Sequence, residues 1–110
     1  MARPIVPGAK CRAYVQDRSE FLNNTYNLRG IRNFGDRYVV MSYDQPIFVY
    51  DDGRWFEVNE KFSTTTSKHQ TQAHPHCETQ KVSAVDILSV AHMGVAKAVA
   101  SKLRQAAEVN

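Results

Sequence analysis

The chain has 110 residues, 43% hydrophobic and 23% charged, with a formal net charge of +3. That length gives one domain with a modest core and leaves no room for a separate catalytic domain, and the composition excludes long disorder away from the termini. No apolar run approaches the ~20 residues of a membrane-spanning helix, and no signal-peptide core follows Met1-Ala2-Arg3-Pro4, so the expected compartment is the cytoplasm.

Residues 1–9 contain two prolines and a glycine and read as an extended arm. Lys10 to Gln16 alternates Cys11, Ala13 and Val15 with Arg12, Tyr14 and Gln16, the period of a first strand. Asn23-Asn24-Thr25 is a turn cluster. Leu28 to Asn33 is expected to pair with the strand that begins at Tyr38. Residues 1 to 40 carry seven Lys or Arg against three Asp or Glu. Within them Arg29, Arg32 and Arg37 alternate with Leu28, Ile31 and Phe34, so nucleic acid is one expected partner, cations taking phosphates and rings taking bases.

Tyr38–Tyr43 and Pro46–Tyr50 are β-branched and aromatic runs of strand length, and Asp51-Asp52-Gly53 supplies the tight turn into Arg54–Val58. Pro46 at a strand start costs the ladder little. In Lys61 to Gln70, five consecutive hydroxyl residues precede an amine, an imidazole and an amide. Threonines favour an edge strand, and a strand ending in one helical turn would set free backbone N–H groups beside Lys68. Thr65, Thr66, Ser67, Lys68 and His69 are therefore candidates to hold an anion such as a nucleotide phosphate, with Tyr43 or Trp55 stacking on the base.

The Tyr-Val-Val run, Ser42-Tyr43, Pro46-Ile47, Trp55, Lys61, Ser63 and then Thr65-Thr66-Ser67-Lys68-His69-Gln70 resemble a group of small proteins encoded by tailed bacteriophages. The resemblance spans residues 26 to 75, and its last six residues are the most specific. It implies a viral accessory protein acting in the host cytoplasm, for which engaging a host protein, to redirect it or blunt a defence, is the expected role. It brings no established activity with it.

His69, His74, His76 and Cys77 fall within nine residues and invite a zinc reading. Their spacing matches no common zinc motif, so the expectation is a polar linker over 73–82, no cofactor, and His74, His76 and Cys77 as the candidate ligands. Cys11 and Cys77 read as two reduced thiols. Ser83 followed by Asp86 is a helix start, and Val85, Leu88, Val95, Val99, Leu103 and Ala106 recur at helical spacing over 83–107. That helix is expected either to cover the sheet or to pair with its own copy.

The expected fold is thus α+β: an antiparallel meander of about four or five strands over 10–72 against one long C-terminal helix, a single domain from residue 10 to 110. Leu28, Val39, Met41, Ile47, Val49, Phe56, Leu88, Val95 and Val99 are the expected core. No nucleophile–base or paired-carboxylate spacing stands out, so a non-enzymatic binding module on a host protein is the first functional expectation. Capture of a small anion through Thr64–Lys68 is the alternative, and nucleic-acid binding through residues 1–40 the second.

Overall fold

A computed structural model describes residues 3–33, 37–94 and 98. In chain order its elements are β1 (Ile5–Val6), a 3₁₀ turn (Gly8–Lys10), α1 (Cys11–Gln16), β2 (Phe21–Asn23), β3 (Leu28–Asn33) and β4 (Arg37–Ser42). There follow β5 (Gln45–Asp51), β6 (Arg54–Val58), α2 (Thr64–Ala73), β7 (Gln80–Val82) and α3 (Ala84–Met93).

The 7 strands of the described residues lie in one sheet in sequence order. From β2 to β6 every pairing is antiparallel, whereas β1 runs parallel to β2 and β7 parallel to β6. Each edge is therefore a strand–helix–strand unit, with α1 in one crossover and α2 in the other. β2 and β6 point the same way, so right-handed crossovers place both helices on the same face. Arg12 and Gln16 of α1 accordingly donate to carbonyls at the end of α2. On the opposite face Arg37 Nη1 donates to Ala91 O of α3 at 3.2 Å.

The expected meander of about four or five strands under one long helix is corrected by this arrangement: the sheet is mixed, its helices cover both faces, and the longest of them among the described residues have 10 residues. Ser83 caps α3 as expected, its hydroxyl accepting from Asp86 N at 3.1 Å. The helix then stops at Gly94, whose φ of +84° breaks the helical path while its N–H still reaches Val90 O. The face of α3 turned to the sheet is Ile87, Val90 and Ala91, not the stripe through Val85 and Leu88, which are 73% and 43% exposed. Both sets are apolar at helical spacing, so periodicity alone could not choose between them. Val95, Val99, Leu103 and Ala106, the rest of the expected stripe, lie outside the described residues.

Two further segments differ from their expected form. Lys10–Gln16 is not a strand, because Cys11 and Val15, one helical turn apart, are both fully buried when the segment coils. The 73–82 linker contains β7, which closes the sheet edge.

The central strands are covered on both sides. Tyr38, Val39 and Val40 are buried in succession, as are Ile47, Phe48 and Val49. Of the expected core, Leu28, Val39, Ile47, Val49 and Phe56 are buried and Met41 is half-buried. Burial of each large apolar side chain contributes roughly 1.5–3 kcal/mol. Pro46 sits at the β4–β5 register shift, where a missing donor is tolerated. Asp52 and Gly53, both at positive φ, close the β5–β6 hairpin as their residue types predict. No helix among the described residues is long and apolar enough to cross a membrane.

Candidate functional site

α2 begins where Ser63, extended at φ −71° and ψ 165°, turns its hydroxyl back to accept from Thr66 N. The threonine run is helical because one face fits under the sheet: Thr66, His69 and Ala73, at i, i+3 and i+7, are buried. Ser42 on β4 meets this face. Its hydroxyl donates to Thr66 Oγ1 at 3.0 Å, so its oxygen accepts from His69 Nδ1 at 2.7 Å. Burial, and secondarily Lys68, lowers the pKa of His69 and keeps the ring neutral.

A serine beside a histidine has the separation of a nucleophile and its base. Ser42, however, is fully buried and already hydrogen-bonded to Thr66, so no substrate atom can reach it. The pair is a tie between α2 and the sheet.

A second face of α2, Ser67, Gln70, Thr71 and His74, lines an open cleft of about 570 Å³ over β6 and β7. Arg12 closes one side. Its Nε donates to His74 O at 2.7 Å and its Nη2 to Thr71 O at 2.6 Å, a cation on the carbonyl end of a helix. The floor includes Glu57, whose Oε1 accepts from Thr79 Oγ1 at 2.7 Å and faces His74 Nε2 at 3.4 Å. His74 Nδ1 accepts from His76 N at 2.9 Å, so in the neutral ring the proton lies on Nε2, toward Glu57. Glu60, on the rim, turns its carboxylate to Ala84 N at the start of α3.

Both carboxylates of the lining are thus satisfied by this chain. The ammonium groups of Lys61 and Lys81 are not: both side chains are exposed and neither forms an ion pair among the described residues. Three cations, Arg12, Lys61 and Lys81, face two carboxylates around the cleft. The rings along its lining are the imidazoles of His74 and His76.

The expected anion site is redistributed by the fold. Of Thr65, Thr66, Ser67, Lys68 and His69, only Ser67 lines the cleft. Thr66 and His69 face the core, Thr65 is half-buried, and Lys68 points to solvent. Tyr43, half-exposed on the β4–β5 turn, lies 6.2 Å from the His69 ring between centroids. Trp55 is 9% exposed, wedged against Tyr38 and Tyr50, and does not share that surface.

Arg29, Arg32 and Arg37 do not form one stripe. By strand alternation Arg29 and Arg32 project to opposite faces of β3, and Arg37 is drawn under α3. Among the described residues no group of three or more His, Cys, Asp or Glu stands close enough to hold a metal ion. His74, the central candidate, has both nitrogens engaged, and Cys77 is exposed beside Trp55 and Arg54 in a separate hollow. Sequence reasoning missed Arg12, Glu57 and Lys81. They are far apart in the chain and converge only through the crossover helices.

Fold and site define a small mixed-sheet domain with crossover helices on one face and a polar, cation-rimmed cleft at one edge. The chain belongs to a family of unknown function (DUF8033), whose model matches residues 9–89 and so includes every residue of the cleft. No curated protein and no solved structure matches it.

Proposed function

We propose that this chain is a non-enzymatic binding module that captures a small phosphate- or carboxylate-bearing molecule in the cleft between α2 and the β6–β7 edge. The observation that carries this reading is the charge balance of the lining. Glu57 and Glu60 are satisfied internally, while the Lys61 and Lys81 ammonium groups have no anionic partner among the described residues. The Ser67 hydroxyl stands beside them as a neutral hydrogen-bonding group. The volume lies in the range of small-molecule sites. The absence of a phenyl or indole ring from the lining favours a compact anion over a nucleotide held by base stacking.

Calorimetric titration with inorganic phosphate, citrate and a mononucleotide tests this reading. One of the first two should bind, with affinity falling as salt rises. The Lys61→Ala/Lys81→Ala double variant should weaken binding by roughly tenfold or more, the loss of charge-assisted hydrogen bonds. Both side chains are exposed, so the fold should be unaffected. Equal binding by wild type and double variant, or none by either, overturns the reading.

The host-protein reading, which the bacteriophage resemblance implies, is favoured by the outer face of α3, where Val85 and Leu88 are exposed. In that reading a protein co-purified from the infected host is lost when both residues become glutamate. Retention of the partner would sink it.

A further inference from the structure

We propose a second anion site, at the other end of α1, where Arg18 and Arg32 converge on a pocket of about 400 Å³ with Tyr50, Asp52 and Gly53, and that it takes the phosphate of a small hydroxylated phosphomonoester. It shares no lining residue with the cleft and does not rest on that reading.

The first observation is a residue in an unfavourable place. α1 ends in the hydrogen-bond pattern that calls for glycine: Arg18 N donates to Val15 O at 3.0 Å and Ser19 N to Tyr14 O at 2.9 Å. The residue that must then adopt left-handed backbone is Arg18, at φ +52°. A side chain with a Cβ is strained there, and arginine is not among the residues that tolerate it readily. Strain held in this way is compensated by what the side chain does. Here the guanidinium lies over the Tyr50 ring, 4.4 Å from its centroid. Stacking on the ring face leaves the N–H groups at the edge of the guanidinium plane open to a ligand.

The second observation is charge. Arg32, on β3, is exposed, and only its backbone N–H is used, donating to Glu20 Oε2 at 3.1 Å. Neither guanidinium forms an ion pair among the described residues, and Asp52 stands beyond ion-pair distance of both. Two planar forks opposite one carboxylate leave a net positive pocket. Such forks match the oxygens of a phosphate in pairs, which a single ammonium does not. Asp52, fixed in the β5–β6 turn at φ +54°, is an acceptor for a hydroxyl on the same ligand. That acceptor selects a hydroxylated ester over bare phosphate, and the pocket is of the size such a molecule needs.

The test uses the full chain, glycerol phosphate and inorganic phosphate as probes, and NMR of the arginine side-chain N–H groups. Glycerol phosphate should shift the Arg18 and Arg32 signals and bind more tightly than inorganic phosphate, and Asp52→Asn should narrow that difference. Arg18→Gly places the favoured residue at the turn, so its thermal midpoint should match or exceed wild type while affinity falls roughly tenfold or more. Arg18→Lys, which keeps the charge but loses the fork, should also bind weakly. The proposal is overturned if glycerol phosphate leaves both arginine signals unmoved, or if Arg18→Gly binds as wild type does. It is equally overturned if binding is abolished by Lys61→Ala/Lys81→Ala and untouched at Arg18, a result that would place the phosphate in the cleft.

Discussion

Ser42 and His69, 27 positions apart in the chain, are joined 2.7 Å apart beneath α2, and Thr66 completes the link. Neither partner can turn to water, since Ser42 is 0% and His69 3% exposed. Ser42→Ala should therefore leave a buried imidazole N–H without an acceptor and cost about 1–3 kcal/mol in urea denaturation. If the loss is no larger than that of a surface serine, the tie contributes nothing to stability.

The same histidine makes stability depend on pH. Its folded pKa is lowered from 6.5 by burial, then by Lys68, so the unfolded chain binds the proton more readily than the native one. Stability from this group is complete above the unfolded value and is lost as pH falls below about 6.5 toward the lower folded value. Denaturation midpoints of wild type and His69→Gln, measured at pH 8 and pH 5.5, should show a steeper acid loss for wild type. Identical slopes would mean the ring is not held neutral.

Gly30 is required by packing. A Cβ there would meet Phe21 Cε1 at 2.6 Å and the Tyr38 hydroxyl closer still. Both side chains are fully buried, and Tyr38 is pinned by its hydrogen bond to Ser19 O. Neither can yield, so Gly30→Ala should destabilise by roughly 1–3 kcal/mol or more, as overpacked cores do. A thermal midpoint equal to wild type would show that the β2–β4 layer repacks freely.

The two cysteines should differ sharply in reactivity. Burial pushes the Cys11 thiol up to about 11, and its Sγ–H points to Pro7 O. Cys77 is exposed. A thiol reagent at neutral pH should label one site in the native protein, identified by peptide mapping as Cys77, and both after denaturation. Native labelling at Cys11 would mean that α1 opens readily.

Several features follow from local chemistry and are legible in the sequence. Asp52-Gly53 closes a hairpin because these residues accept positive φ, and Ser83 with Asp86 starts a helix because a hydroxyl meets an orphan N–H. Tyr38–Ser42, Pro46–Tyr50 and Arg54–Val58 lie in strands as β-branched and aromatic composition predicts, with Tyr43 left to the β4–β5 turn, and Leu28, Val39, Ile47, Val49 and Phe56 are in the core as expected.

What the tertiary structure alone decided is where local preference is divided. Cys11–Gln16 alternates like a strand and Thr64–Ala73 is rich in strand-favouring threonine, yet both coil. Coiling puts Cys11 with Val15, and Thr66 with His69 and Ala73, onto faces that the sheet can bury, and that burial outweighs propensity. The crossovers then carry Arg12 to Thr71 and His74, and set Lys81 beside Glu57 through parallel pairing of β6 with β7. A cleft assembled from residues 12 to 81 has no signature within any one stretch, because its charge balance depends on which carboxylates the fold itself satisfies.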